Sequence, residues 1–297
     1  MDPVEWAEEV YRLPGGNRFS FDYAPYSKRI FLELLNRANI EVVLQMYSRG
    51  LKSTCCLLAM GFRIDQDPCR MLSMWPTNLQ AEKWSKDILV GELFDTTPCL
   101  NYLGTKAKRR IASNTLLHKA TRGGLIDIFG ANAPGDMRRA KGSLLYGEEI
   151  DAVEATQTDE GDQLAIFSKR GDEYPDTLRW WASYPALKML DEMGNPAQGH
   201  SRINAKFLQT DANQWHSTCI KCGGEPFVMH RSMIQWEKDR PETAVFQCPR
   251  CGTWLNDAAR YQMAHKQGFD CWQPSREYRG KRGFHANAML WPHPVDP

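Results

Sequence analysis

Glu41-Val-Val-Leu-Gln-Met-Tyr-Ser-Arg-Gly-Leu-Lys-Ser-Thr-Cys-Cys-Leu-Leu-Ala-Met60 is the stretch on which the reading of this chain turns. A run of apolar residues leads into a short polar turn, and helix-forming residues follow. That order reads as buried strand, turn and helix. Backbone N–H groups at the start of such a helix point outward and bind phosphate oxygens, helped by the helix dipole. A lysine there supplies a point charge to the β- and γ-phosphates, and the next hydroxyl reaches Mg²⁺. Lys52 and Ser53 fit those roles within Ser48-Arg49-Gly50-Leu51-Lys52-Ser53, and Thr54 offers a second hydroxyl one residue on. The usual GxxxxGK[ST] spacing is not met, because Leu51 stands where the glycine before the lysine belongs. An ordinary strand–loop–helix with an exposed Arg and Lys is the competing reading of this segment alone. Arg49 reads either as a surface arginine or as a finger or sensor for the γ-phosphate.

Leu144-Leu-Tyr-Gly-Glu148-Glu149-Ile-Asp151 supplies a second, complementary element. It reads as a buried strand ending in paired carboxylates. In doubly wound sheets such a strand end lies beside the phosphate loop. Glu148 is then placed to bind Mg²⁺ and Glu149 to polarise an attacking water. A solvated acidic turn is the bland alternative, but finding both elements in this order weakens it. A third strand, Leu178 to Ser183, ends in small polar residues, so Ser183 can sense the γ-phosphate or serve only as a strand-end serine. Pro25-Tyr26, ahead of a helix, reads as a border for an adenine ring or as a helix start with a packing aromatic.

Strands are expected at 41–47, 70–75, 124–129, 143–147 and 177–183, and helices at 27–38, 53–62, 77–90 and 158–169. Alternating buried strands and helices imply an α/β fold with a mainly parallel central sheet flanked by helices, of the P-loop NTPase kind. Residues 1–24 read as a lead-in. The expected division is a motor domain over 1–200, a zinc-ribbon-like subdomain over 201–275, and a tail or linker over 276–297. Cys219-Ile-Lys-Cys222-Gly and Cys248-Pro-Arg-Cys251-Gly carry the subdomain. Two CxxC knuckles supply four thiolates, the set that suits a structural tetrahedral Zn²⁺. Glycine after each pair permits a left-handed turn. His216 and His230 are surplus to a filled shell. Trp215, Trp236, Trp254 and Trp272 are expected to pack around the knuckles, and Trp75, Trp84, Trp180 and Trp181 to be core or interface.

A net charge of +1 gives no global pull toward nucleic acid or membrane. Contact with nucleic acid must come from local patches such as Lys106–Arg110, Arg138–Lys141 or Arg276–Arg282. No apolar run approaches the ~20 residues needed to span a bilayer. The acidic, mixed N-terminus is unlike a signal peptide. Cysteines arranged as two CxxC pairs and five scattered residues fit a reducing cytoplasm.

Taken in order, these segments resemble the large terminase subunit of tailed phages, in the GpA-like family. The resemblance rests on Ala24-Pro25-Tyr26, Ser48 to Ser53, Trp75-Pro76-Thr77 followed by Ala81 to Ser85, Gly130-Ala131-Asn132, Glu148 to Ala152, Asp159 to Asp162, Ser183-Tyr184-Pro185 and the two Cys pairs. It covers nearly the whole chain. It implies an ATPase motor that threads double-stranded DNA into a procapsid, using ATP, Mg²⁺ and a structural Zn²⁺. The implied partners are a portal protein, a small terminase subunit and a nuclease domain or subunit, with the motor working as a homo-oligomeric ring at the procapsid portal in the host cytoplasm. By the same resemblance Lys52 and Ser53 hold phosphate and Mg²⁺, Arg49 is a finger, Glu148 and Glu149 serve metal and water, and Ser183 couples hydrolysis to movement. No nuclease activity is expected of this chain. The alternatives are a non-hydrolysing scaffold that docks DNA or portal, and a helicase-like remodeller.

Overall fold

A computed structural model describes residues 1–105, 107, 111, 114–153, 161–186, 201–268 and 270–291. The expected domain boundary at 200, most of the basic patch at 106–110, and the beginning of the helix expected over 158–169 lie outside the described residues, as do Asp159 and Glu160.

The phosphate-loop strand, β1 (Glu41–Met46), is buried at every position. A parallel strand covered on both faces has no solvent side, so Val42, Val43, Leu44 and Met46 do not alternate with exposed polar positions. The remaining strands are β2 (Arg70–Trp75), β3 (His118–Thr121), β4 (Gly124–Gly130), β5 (Leu144–Glu148), β6 (Leu178–Ser183), β7 (Asn213–Trp215), β8 (Ile234–Glu237), β9 (Arg240–Gln247), β10 (Trp254–Leu255), β11 (Trp272–Pro274) and β12 (Lys281–Ala286). Nine of them form one sheet in the order β11-β7-β12-β1-β6-β5-β2-β4-β3. Strands β12, β1, β6, β5, β2 and β4 run parallel, and among the described residues only the edges carry antiparallel pairs.

This order positions the site. β6 lies between β1 and β5, so the loop after β1, Ser183 at the end of β6 and Glu148 at the end of β5 emerge side by side. With adjacent strands ~4.8 Å apart, β1 and β5 stand about 10 Å from each other, a gap that long side chains cross. Gly147 lets the end of β5 come close to its neighbour: a Cβ there would meet the Trp181 ring at 2.6 Å.

The helix Lys52–Gln66 follows the loop and turns a buried face to the core through Cys55, Cys56, Leu58, Ala59 and Ile64. Residues 1–24 are more than a lead-in. Pro3–Val10 is helical, Trp6 is fully buried and its Nε1 donates to Asp65 at 2.8 Å. Gly61 admits that indole, since a Cβ there would lie 2.7 Å from the ring. The segment expected as one helix over 77–90 is an α-helix, Asn78–Lys83, continuing as a π-helix, Trp84–Phe94.

The boundaries drawn from sequence do not coincide with the sheet. β12, within the segment read as a tail, pairs with β1 along its whole length. Its charges are met from afar: Lys281 pairs with Glu41 at 3.0 Å, and Arg282 with Asp211 and Glu33. The helix Arg202–Phe207 buries Ile203 against Val43 and Trp181 in the core beneath the sheet. The smaller three-stranded sheet, β10-β9-β8, is an insertion between β7 and β11, which pair antiparallel at the sheet edge. Trp215 and Trp272 meet edge-on in that pair, 5.4 Å apart. Trp236 and Trp254, expected to be core, are 52% and 45% exposed. A sheet this small has only one covered face, and both side chains lie off it.

Candidate active site

Between β1 and its helix the chain turns over Tyr47 to Leu51, with Gly50 N–H donating to Tyr47 O at 3.1 Å. Arg49 and Leu51 both adopt left-handed backbone, at φ 66° and 63°. Leu51 therefore takes the conformation that a glycine before the lysine would supply. An L-residue there costs ~1–2 kcal/mol, against roughly 0.5–1 kcal/mol that a glycine loses in backbone entropy. Leu51→Gly is accordingly expected to leave stability unchanged or raise it by up to ~1 kcal/mol, whereas Leu51→Val, β-branched in this region, should lose more than ~1 kcal/mol. Urea unfolding of the two variants checks this; equal stabilities would contradict a strained loop.

Lys52 follows and is buried, with its Nζ 2.9 Å from Glu149 Oε1 and 3.9 Å from Glu148 Oε1. Burial alone would lower the pKa of this ammonium, but the two carboxylates hold it above its usual range. Ser53 Oγ donates to Glu148 Oε1 at 2.9 Å. Glu148 is 2% exposed. Burial pushes its carboxyl up to about 8 against the pull of Lys52, and neighbouring Glu149 adds to the rise. One lysine cannot compensate two carboxylates in so dry a place.

Glu149 sits at φ 50°, which turns its half-exposed carboxylate away from the strand and toward the loop. Ser183, fully buried, places its Oγ 3.4 Å from Glu149 Oε2, accepts from Asp151 N–H at 3.2 Å and lies 3.0 Å from Tyr184 O. Asp151 caps the neighbouring backbone, accepting from Ala186 N–H at 2.8 Å and Ile203 N–H at 2.7 Å. Lys52, Ser53, Glu148, Glu149 and Ser183 are thus in mutual reach. Ser48 and Arg49 are exposed at the crest of the loop, and Thr54 is half-buried beside Ser53.

Tyr26 requires a correction. Its side chain is fully buried, with its hydroxyl 3.1 Å from Tyr47 Oη and donating to Gly50 O at 3.3 Å. Its ring meets Trp215 edge-on. Pro25 is buried as well. A ring enclosed in this way has no face for an adenine; it braces the loop from behind.

A cavity of about 540 Å³ opens beside Ser53, Thr54, Glu148 and Glu149. Its far wall includes Tyr11 and the stacked pair Trp75 and Trp84, ring centroids 5.0 Å apart. Nothing in the local sequence places Tyr11 here, and the two tryptophans read from sequence as core or interface. The only signal was the position of Trp75-Pro76 at the end of a strand adjacent to β5.

The donor set fits magnesium. A hydroxyl and a carboxylate, Ser53 and Glu148, are the hard oxygen ligands that Mg²⁺ takes. The four sulfurs of Cys219, Cys222, Cys248 and Cys251 lie within 4.8 Å of one another. A tetrahedral Zn²⁺ with Zn–S of ~2.3 Å places its sulfurs ~3.8 Å apart, so a small contraction closes the set. Each knuckle is shaped as such a site needs: Lys221 N–H and Arg250 N–H donate to the sulfurs of Cys219 and Cys248 at 3.4 Å, and Gly223 and Gly252 take φ 60° and 71°. His216 and His230 are not part of this cluster.

The family model described as phage terminase large subunit gpA, ATPase domain, matches residues 15–272. Among solved structures, the chain is similar to the large terminase of bacteriophage HK97, with a TM-score of 0.49 and 13% identity over 61% of this chain and 36% of that one. The chain thus spans about a third of that protein's length. It is also similar to the large terminase ATPase domain of Thermus phage P74-26, with a TM-score of 0.43 and 14% identity over 91% of this chain and 88% of that one. No curated protein matches it in sequence.

Proposed function

We propose that this chain, which belongs to the family of phage terminase large subunit gpA ATPase domains, hydrolyses Mg·ATP to drive double-stranded DNA into a procapsid. The observation that carries the reading is the meeting of loop and acidic strand end: Lys52 on Glu149 at 2.9 Å, and Ser53 on Glu148 at 2.9 Å.

Ser53 and Glu148 would hold the magnesium. Bound there, the ion would supply positive charge to the phosphate oxygens during phosphoryl transfer. The other roles belong to the protein. The N–H groups at the start of the loop helix cradle the phosphates. Lys52 exchanges its contact with Glu149 for one with the γ-phosphate, which frees the carboxylate. Glu149 then accepts the proton of the attacking water. Arg49, at the crest, reaches the γ-phosphate from the same chain. Ser183, touching Glu149 and Asp151, passes the change at the γ-phosphate to the backbone after β6.

The zinc knuckles hold the insertion together. A portal protein, a small terminase subunit and a nuclease domain or subunit complete the machine, with this chain in a homo-oligomeric ring at the portal in the host cytoplasm. Among the described residues no helix is long and apolar enough to cross a membrane. The non-hydrolysing scaffold drew its support from the missing glycine. Leu51 in left-handed backbone, the conformation a glycine would take there, favours a working loop over that alternative.

Steady-state ATP hydrolysis with Mg²⁺, with and without double-stranded DNA, tests the proposal against Lys52→Ala. Turnover by the wild type that is lost in the variant, with DNA binding retained, is the expected result. No turnover by the wild type under either condition would return the chain to the scaffold reading.

A further inference from the structure

We propose that Tyr146 is a positioning residue for the nucleotide's metal: its hydroxyl holds the Glu148 carboxylate in the orientation that presents Oε1 beside Ser53. The inference rests on the reading of Ser53 and Glu148 as magnesium ligands.

Three observations support it. First, Tyr146 and Glu148 are two residues apart on β5, so their side chains leave the same face of the sheet, one behind the other. The Tyr146 hydroxyl donates to Glu148 Oε2, while Ser53 Oγ donates to Oε1. Each carboxylate oxygen therefore has its own donor, and rotation about the terminal bond of the side chain would break both contacts. A terminal carboxylate torsion is otherwise broad and soft.

Second, the tyrosine ring is itself fixed. It is 2% exposed and is held edge-on between Trp75, 6.4 Å away, and Trp180, 6.2 Å away. Trp75 is anchored in turn, stacking on Trp84 and donating from Nε1 to Ser73 Oγ at 3.0 Å. The hydroxyl is thus delivered to one place by a rigid aromatic wall.

Third, a packing role alone does not call for the oxygen. A phenylalanine would fill the same space between two indoles, and burying a hydroxyl costs free energy unless it is bonded. Here its partner is the carboxylate at the strand end. Partners that orient a metal-binding carboxylate typically change metal affinity by about 10–100-fold when removed.

Tyr146→Phe tests the proposal, with Mn²⁺ as the probe ion. Calorimetry measures the affinity of the protein for ADP without metal, and for Mn²⁺ in the presence of saturating ADP. The expected result is ADP affinity unchanged without metal and Mn²⁺ affinity lowered by about tenfold or more. The Mg²⁺ concentration giving half-maximal hydrolysis should rise in parallel. Unchanged Mn²⁺ affinity overturns the inference, as does an equal fall in both affinities, which marks a structural residue. A wild type that binds ADP but no Mn²⁺ points instead to failure of the underlying reading. Should Tyr146→Phe not fold, 3-fluorotyrosine at this position keeps ring and hydroxyl while strengthening the donor. A changed Mn²⁺ affinity then supports the positioning role, and an unchanged one overturns it.

Discussion

Glu149→Gln should slow ATP turnover by about 10²–10⁴-fold, the range of a lost general base, while nucleotide binding stays in place. The substitution keeps the size of the side chain and retains an oxygen and an amide for the contacts with Ser183 Oγ and the loop. It removes the negative charge and the ability to take a proton. Because Glu149 holds Lys52 at 2.9 Å, its neutralisation also weakens the contact that must break before Lys52 turns to phosphate. ATP affinity should therefore be equal to the wild type's or higher. That combination distinguishes a base from a binding residue: a change confined to the chemical step lowers kcat without raising KM. Single-turnover hydrolysis alongside equilibrium binding of ATP measures both. Turnover within tenfold of the wild type would remove Glu149 from the proposed role and pass it to another group at this edge of the sheet.

Removal of zinc should unfold the insertion and leave the large sheet standing. Structural zinc contributes about 10–16 kcal/mol of apparent binding free energy in zinc-finger peptides near neutral pH, more than a three-stranded sheet of this size supplies by burial. β8, with intermediate and exposed positions throughout, and β10, two residues long, have little core of their own. The neighbouring helix Asp257–His265 is tied elsewhere: Arg260 donates to Met289 O at 2.8 Å and to Trp291 O at 3.0 Å. Chelation should thus abolish amide protection across β8, β9 and β10 and preserve it in β1, β5 and β6. Thiolates are the ligands such a site uses, so metal affinity should fall as pH is lowered. Hydrogen exchange with and without chelator, together with metal content per chain, checks the expectation. A purified chain that holds no zinc, or an insertion that keeps its protection without metal, would show that the knuckles stand by packing.

Much of the candidate site's placement is readable in the sequence because its parts are local. The strand 70–75 falls at the expected positions, and the strands ending in Glu148 and Ser183 lie within a residue of them. Strands buried on both faces announce themselves as short apolar runs, and the loop and the CxxC knuckles lie within a few residues of chain. Tyr26 misled for the opposite reason. An aromatic at a helix start looks the same whether it faces a ligand or is enclosed, and here Trp215, 189 positions later in the numbering, encloses it. β12 misled in a similar way: Lys-Arg-Gly-Phe-His-Ala carries too much charge to read as a strand beside the centre of a sheet, until Glu41, Glu33 and Asp211 are seen to receive those charges.

By itself, then, the sequence determined the α/β class, the order of loop, carboxylates and knuckles, and the residue types proposed to bear the chemistry, since these follow from short-range periodicity and spacing. The tertiary structure alone decided that Lys52 rests on Glu149, that Tyr146 stands behind Glu148, that Trp75 and Trp84 wall the cavity, and that β12 flanks β1. Those outcomes depend on which strands become neighbours. Neighbours are chosen by the burial of all faces and the pairing of all charges together, and partners far apart along the chain leave no local pattern from which to read the choice.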